Sequence, residues 1–282
     1  MARRLKKGLV AIITGASTGI GKALALDLAR KYKARLVLNA RGQAELEAVA
    51  AKVAELGGES AIVCGDISSA DVRGKLVETA KSKYTSVDLL VNNAGFARPG
   101  PMQAINMQDW RDVFEVNFFA PVDLVYAVLP DLLASKSGKV VNIASVAGKL
   151  AFPGSVCYAS SKFALTGFSE GMAAELGPKG VDVITVCPGL VRTEFFRKNK
   201  NAQDLTAMAE QRDLSGWVVK HLISISSEQA AREILQACEH GGCREIVLTG
   251  PGVFLERLAG IYPPAAWALS RLVPAERTAK TE

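Results

Sequence analysis

Short apolar runs rich in β-branched residues alternate along this chain with segments whose apolar positions recur every three or four residues. The first run covers residues 8–14 and contains Leu9-Val10-Ala11-Ile12-Ile13; Ile20, Leu24 and Leu28 follow at helical spacing. Runs of the first kind read as buried strands, and stripes of the second kind as helices packed on one side. Further strands are predicted at residues 35–40, 61–64, 87–91, 139–143, 181–186 and 245–248. One helix carries Leu46, Val49, Val53 and Leu56; others are predicted at residues 69–81, 109–134 and 227–240. A further helix contains Tyr158 and ends near Gly177, with Ser155 as its N-cap and Phe163, Phe168, Met172 and Leu176 as its apolar stripe. Strand and helix alternate from residue 8 to about residue 248. That order predicts a single α/β domain, a doubly wound Rossmann-type parallel sheet with helices on both faces. No repeat or linker divides it.

Composition narrows the function classes. A chain of 282 residues, 49% hydrophobic, can bury one large core. Of the net charge of +6, Arg3, Arg4, Lys6 and Lys7 supply four. The body is therefore only mildly basic, and the cluster reads as a solvated arm and not as a nucleic-acid footprint. The basic start and first apolar run do not make a secretion signal, because Thr14-Gly15 interrupts the run. No unbroken apolar run reaches about 18 residues, so no spanning helix is expected. Five cysteines without a signal segment point to a reducing compartment, and the cytoplasm is the expected location. Cys238-Glu239-His240-Gly241-Gly242-Cys243 has no fourth ligand nearby, so thiols in core or loop are expected there and not a metal site.

Three stretches carry candidate chemistry. Thr14-Gly15-Ala16-Ser17-Thr18-Gly19-Ile20-Gly21 lies between a predicted strand and a predicted helix. Such a turn sets backbone N–H groups and a helix N-terminus against a pyrophosphate. Nicotinamide sites without a 2′-phosphate place an acid at the end of the second strand. Here that end reads Asn39, Ala40 and Arg41. The acid is absent and an arginine matches a phosphate, so NADP(H) is favoured over NAD(H). Tyr158 and Lys162 stand at i and i+4, on one helical face. An ammonium close to a phenol lowers its pKa from about 10 toward neutrality, which makes Tyr158 a candidate general acid/base. The Ser145 hydroxyl, just after a predicted strand, can hold a reacting oxygen. Pro121 has no N–H for the Asn117 carbonyl, which leaves that carbonyl open to a water or marks a kink.

Taken together, the glycine turn, Asp66, Asn92-Asn93-Ala94-Gly95, Asn117, Ser145, Tyr158-x-x-x-Lys162 and Pro188-Gly189 resemble the short-chain dehydrogenase/reductase family, in its order and over residues 8–250. The resemblance implies that Tyr158 is the acid or base, with Lys162 on the nicotinamide ribose. It implies that Ser145 positions the substrate oxygen and that Asn117 holds a relaying water. It places Gly15, Ser17, Thr18, Gly19 and Ile20 at the diphosphate, and Asp66 and Ile67 at the adenine. Asn93, Ala94 and Gly95 fall on the adenosine side, and Pro188, Gly189, Val191 and Thr193 near the carboxamide. Thr18 departs from the family, where many NADP-dependent members carry a basic residue.

The expected activity is interconversion of an apolar ketone or aldehyde and its alcohol. Phe96, Phe152, Phe195, Phe196, Trp217, Val218 and Leu222 flank the expected cleft. A second reading is reduction of a 3-oxoacyl thioester on a carrier protein, with Arg98, Arg192, Arg197 and Lys198 meeting an acidic partner. A third is a non-catalytic NADP(H) sensor or scaffold, which the Ser145, Tyr158 and Lys162 set opposes. Residues 1–250 form the expected NADP-binding domain, with a lid near 190–226. Residues 251–282 form an apolar extension, split at Pro263-Pro264, that packs on protein or, less favoured, on a membrane surface. The resemblance implies a homodimer or homotetramer built through the helices of Asn117 and Tyr158.

Overall fold

Each predicted strand and helix is present, with ends displaced by a few residues. A computed structural model describes residues 4–135, 137–192 and 224–261. The elements begin β1 (Val10–Thr14), α1 (Gly19–Tyr32), β2 (Arg35–Ala40), α2 (Gln43–Glu55), β3 (Glu59–Cys64), α3 (Ala70–Tyr84) and β4 (Leu89–Asn92). Then come α4 (Met107–Phe114), a π turn (Glu115–Phe119), α5 (Ala120–Ala134), β5 (Lys139–Ile143), α6 (Val156–Leu176) and β6 (Asp182–Cys187). The described chain closes with β7 (Leu190–Arg192), β8 (Ser224–Ser226), α7 (Ser227–His240), β9 (Arg244–Val247) and α8 (Gly250–Ile261).

Seven strands form one parallel sheet in the order β3-β2-β1-β4-β5-β6-β9. The order reverses between β1 and β4, which opens a crevice at their carboxyl ends. Alternate strand residues serve two cores. Ala11, Ile13, Leu36 and Leu38 pack with Leu24, Leu28, Leu46 and Ile234 of α1, α2 and α7. Val10, Ile12, Val37 and Leu90 pack with Leu76, Leu124, Val128 and Met172 of α3, α5 and α6. Strands buried on both faces explain the unbroken apolar runs of the sequence.

Several details depart from expectation. The discontinuity at Pro121 takes the form of a π turn, in which the Ala120 N–H reaches Glu115 O. The helix continues through this wider turn. Ser155 occupies the N-cap of α6 without capping it; its hydroxyl donates to Phe152 O at 2.6 Å. Phe163 faces outward, 45% exposed, so the buried stripe of α6 runs through Leu165, Met172 and Leu176 instead. The continuous helix Met107–Ala134 is long and apolar enough, by length and composition alone, to cross a membrane, although no unbroken apolar run reaches that length. Val113, Leu124, Val128 and Leu132 nevertheless pack its inner face into the core. The proposed lid is bracketed by β7 and β8, a separate parallel pair that periodicity did not reveal. Cys238 is a core residue, and Cys243 accepts the Val183 N–H at 3.3 Å.

Candidate active site

The turn after β1 is built from close backbone approaches. Gly15 and Gly19 have φ of 64° and 56°, a region glycine occupies without penalty. A Cβ on Gly15 would lie 2.8 Å from Asn93 Nδ2, and one on Gly21 would strike Gly15 O. Asn93 Nδ2 itself donates to Thr14 O at 2.9 Å and Gly15 O at 3.0 Å. Thr14 Oγ1 accepts from the N–H groups of both Asn93 and Ala94 at 3.0 Å. The ends of β1 and β4 are thus clamped together at the switch point. Thr14 lies within the glycine motif, and its hydroxyl is a junction of the site that the motif spacing does not reveal.

Thr18 is the exposed N-cap of α1, with no side-chain cap bond and no acid in the first turn. The helix N-terminus therefore keeps its attraction for an anion. Ser17 and Gly19 are half-buried beside it, and Ile20 is a core residue.

At the end of β2, Asn39 is a buried strut. Its amide donates to Val63 O at 3.0 Å and Gly65 O at 3.1 Å. Ala40 is also buried, which leaves Arg41 as the exposed residue of the trio. Among the described residues the Arg41 guanidinium forms no ion pair. Asp66 is exposed, with Oδ1 accepting the Ser68 N–H at 2.9 Å, while Ile67 is buried.

The sequence-predicted catalytic set converges beyond β4 and β5. Lys162 is buried, and its Nζ donates to Ile143 O at 2.8 Å. A Cβ on Gly95 would lie 3.4 Å from Lys162 Nζ and 3.1 Å from Asn117 Oδ1. Glycine at position 95 therefore lets three segments meet. Asn117 exchanges two bonds with the Phe96 backbone, both 3.0 Å, and donates to Ser161 Oγ at 3.0 Å. Phe96 and Ser161 as partners of Asn117 were not foreseen. Ser145 caps the short turn after β5 by accepting the Ala147 N–H at 3.0 Å, and it hydrogen-bonds the Tyr158 phenol.

The expected lowering of the Tyr158 pKa is not what this arrangement produces. Burial pushes the phenol up to about 12, against a downward pull from Ser145. Burial drives Lys162 down to about 8, partly offset by Cys187. Lys162 Nζ lies 5.8 Å from the centre of the Tyr158 ring and bonds a carbonyl, so desolvation outweighs attraction at both groups.

After β6, Pro188 O accepts the Val146 N–H at 2.9 Å, and a Cβ on Gly189 would strike Thr249 Oγ1. Val191 is buried in the core, which leaves its backbone for contact. Phe96 and Phe152 are half-buried. Thr193, Phe195, Phe196, Arg197, Lys198, Trp217, Val218 and Leu222 lie outside the described residues.

Residues 9–204 match the family model for short chain dehydrogenase. The chain is 37% identical over 196 residues to a 3-oxoacyl-[acyl-carrier-protein] reductase of Synechocystis, covering 70% of this chain and 79% of that protein. It is 32% identical over 185 residues to the reductase of the same description from Staphylococcus epidermidis, covering 66% and 76% of the two chains. The crystal structure of L-sorbose reductase from Gluconobacter frateurii, complexed with NADPH and L-sorbose, superposes with a TM-score of 0.76. It is 24% identical and covers 89% of this chain and 98% of its own, a likeness of fold. With the family model matched over more than half its length, the chain belongs to the short-chain dehydrogenase/reductase family.

Proposed function

We propose that this protein is an NADP(H)-dependent oxidoreductase that interconverts a carbonyl and an alcohol. The observation that carries this reading is the meeting of Lys162 and Asn117 at Gly95, beside a Tyr158 hydrogen-bonded to Ser145. The bound dinucleotide would supply or accept the hydride. Ser145 orients the substrate oxygen, and Tyr158 protonates it in reduction and takes the proton back in oxidation. A phenol held near 12 keeps its proton across the neutral range, which suits reduction. Lys162 holds the ribose side, and Asn117, fixed by Phe96 and Ser161, braces the wall behind it. The diphosphate suits the clamped turn at Gly15 and the N-terminus of α1, and Arg41 suits a 2′-phosphate.

The half-buried Phe96 and Phe152 support an apolar ketone or aldehyde as substrate. The descriptions of the Synechocystis and Staphylococcus relatives support a second reading, a 3-oxoacyl thioester. So does Arg98, which is exposed, lies 5.6 Å above the Phe96 ring and is 3.4 Å from Asp109. The decisive assay supplies ketones, aldehydes and 3-oxoacyl thioesters to the purified protein with NADPH or NADH, followed at the nicotinamide absorbance. Tyr158→Phe should lower turnover by roughly 10²- to 10⁴-fold with cofactor binding retained. NADPH binding without turnover of any class would favour the sensor or scaffold reading instead.

The homo-oligomer is supported by an outward apolar stripe: Phe119, Tyr126 and Leu133 on one helix, Val156 and Phe163 on α6. Exposed apolar patches of this kind mark contact surfaces. Tyr126→Glu should reduce the sedimenting mass; an unchanged mass would count against this face. The exposed Phe254 and Ile261 of α8 extend the same reading to residues 251–261, while residues 262–282 of the expected extension lie outside the described residues.

A further inference from the structure

Arg73 on α3 belongs to none of the motifs, yet its side chain joins two parts of the site. It is only 12% exposed. Nη1 donates to the carbonyls of Ile67 at 2.9 Å and Ser68 at 2.8 Å. The same nitrogen lies 3.0 Å from Glu115 Oε1, and Nε lies 2.6 Å from Asp123 Oδ2. Ile67 and Ser68 form the loop after β3. Glu115 opens the π turn that carries Asn117, and Asp123 stands in the first turn of α5. One guanidinium thus holds the adenine-side loop and the Asn117 segment at a fixed separation. The fork geometry matters, because an ammonium cannot serve two carbonyls and two carboxylates in these directions at once.

The loop is pinned from its other side as well. Asp66 Oδ1 accepts the Ser68 N–H, and Asp66 O accepts the Ser69 N–H at 3.0 Å. With Arg73 on the carbonyls, both faces of this turn are held, and Ile67 stays buried. The π turn is the irregular part of its helix, and among the described residues Glu115 and Asp123 form their ion pairs with Arg73.

We propose that Arg73 is a positioning residue that sets the adenine-side loop and the Asn117 segment in register, coupling dinucleotide affinity to turnover. The inference rests on the reading of the site as a dinucleotide-dependent oxidoreductase. Its two legs separate by mutation. Arg73→Lys keeps a cation for Glu115 and Asp123 but loses the Nη1 donor to the Ile67 and Ser68 carbonyls. Its Kd for NADPH should rise about tenfold while kcat stays within about threefold. Glu115→Gln combined with Asp123→Asn releases the other leg; kcat should fall about tenfold with the NADPH Kd within about twofold. Arg73→Met should show both losses, with Lys at this position restoring kcat. If the Met variant does not fold, the other two still decide.

Loss of thermal stability in those two variants, with wild-type NADPH Kd and wild-type kcat, would make Arg73 a scaffold residue only and overturn the proposal. A wild-type protein that binds NADPH but reduces no carbonyl removes the catalytic reading, and the binding leg then decides the inference alone. A wild-type protein that binds neither nicotinamide dinucleotide overturns both.

Discussion

Two buried lysines stand at opposite ends of the same sheet and have opposite surroundings. At the amino end Lys139 is fully enclosed, with Nζ 2.5 Å from the carboxylate of the equally buried Asp182 on the neighbouring strand. At the carboxyl end Lys162 is 4% exposed, and its ammonium bonds the carbonyl oxygen of Ile143. A carboxylate at contact distance neutralises the charge where it sits. A carbonyl solvates the ammonium but does not neutralise it, and burial lowers the Lys162 pKa to about 8. The first lysine is one half of a buried structural ion pair. The second is a charge whose proton can leave within a physiological interval.

The sharpest way to break this comparison is to remove each ammonium with little change in length. Lys162→Met should cut carbonyl turnover by roughly 10²-fold or more while stability holds or rises, because an un-neutralised buried charge is gone. Lys139→Met should do the reverse. It removes the ion-pair partner of the buried Asp182 carboxylate and should cost about 3–5 kcal/mol in denaturant unfolding, with turnover per folded molecule unchanged. Similar losses of activity and stability in both variants would erase the distinction.

A smaller effect is expected where the same contrast reaches solvent. Arg73 is paired with two carboxylates, whereas Arg41 has no ion pair among the described residues. Arg41→Ala should weaken NADPH by about 1.5–3 kcal/mol and leave NADH nearly unchanged. Titration of both dinucleotides checks this; equal losses, or a wild-type preference for NADH, would remove the assigned phosphate contact.

The smallest effect is in pH dependence. Folded Lys162 loses its proton near pH 8, whereas the unfolded lysine keeps it to about 10.5. The unfolded state binds more protons between those values, so this group makes stability rise with pH across that window and withdraws the gain as pH falls through about 8. In the same region kcat/KM for reduction should bend downward as the Lys162 charge, proposed to hold the ribose, is lost. Both signatures should survive Lys139→Met and vanish in Lys162→Met.

The sequence alone determined the alternation of strands and helices, because a parallel sheet buried on both faces writes itself as unbroken apolar runs. It also determined the glycine turn and the Ser145, Tyr158 and Lys162 set, whose spacing is local and helical. Tertiary structure decided what those groups experience. Asn39 turns inward to the β3 end and leaves Arg41 exposed, which no strand pattern distinguishes. A π turn carries Asn117 just before Pro121, where the sequence left both a water-bound carbonyl and a kink open. Tyr158 is pushed up and not down, since desolvation depends on everything packed around it. Arg73 finds Asp123 at a separation of 50 residues. Periodicity records which face of an element is buried, but the choice of a distant polar partner is made only when the elements have packed together.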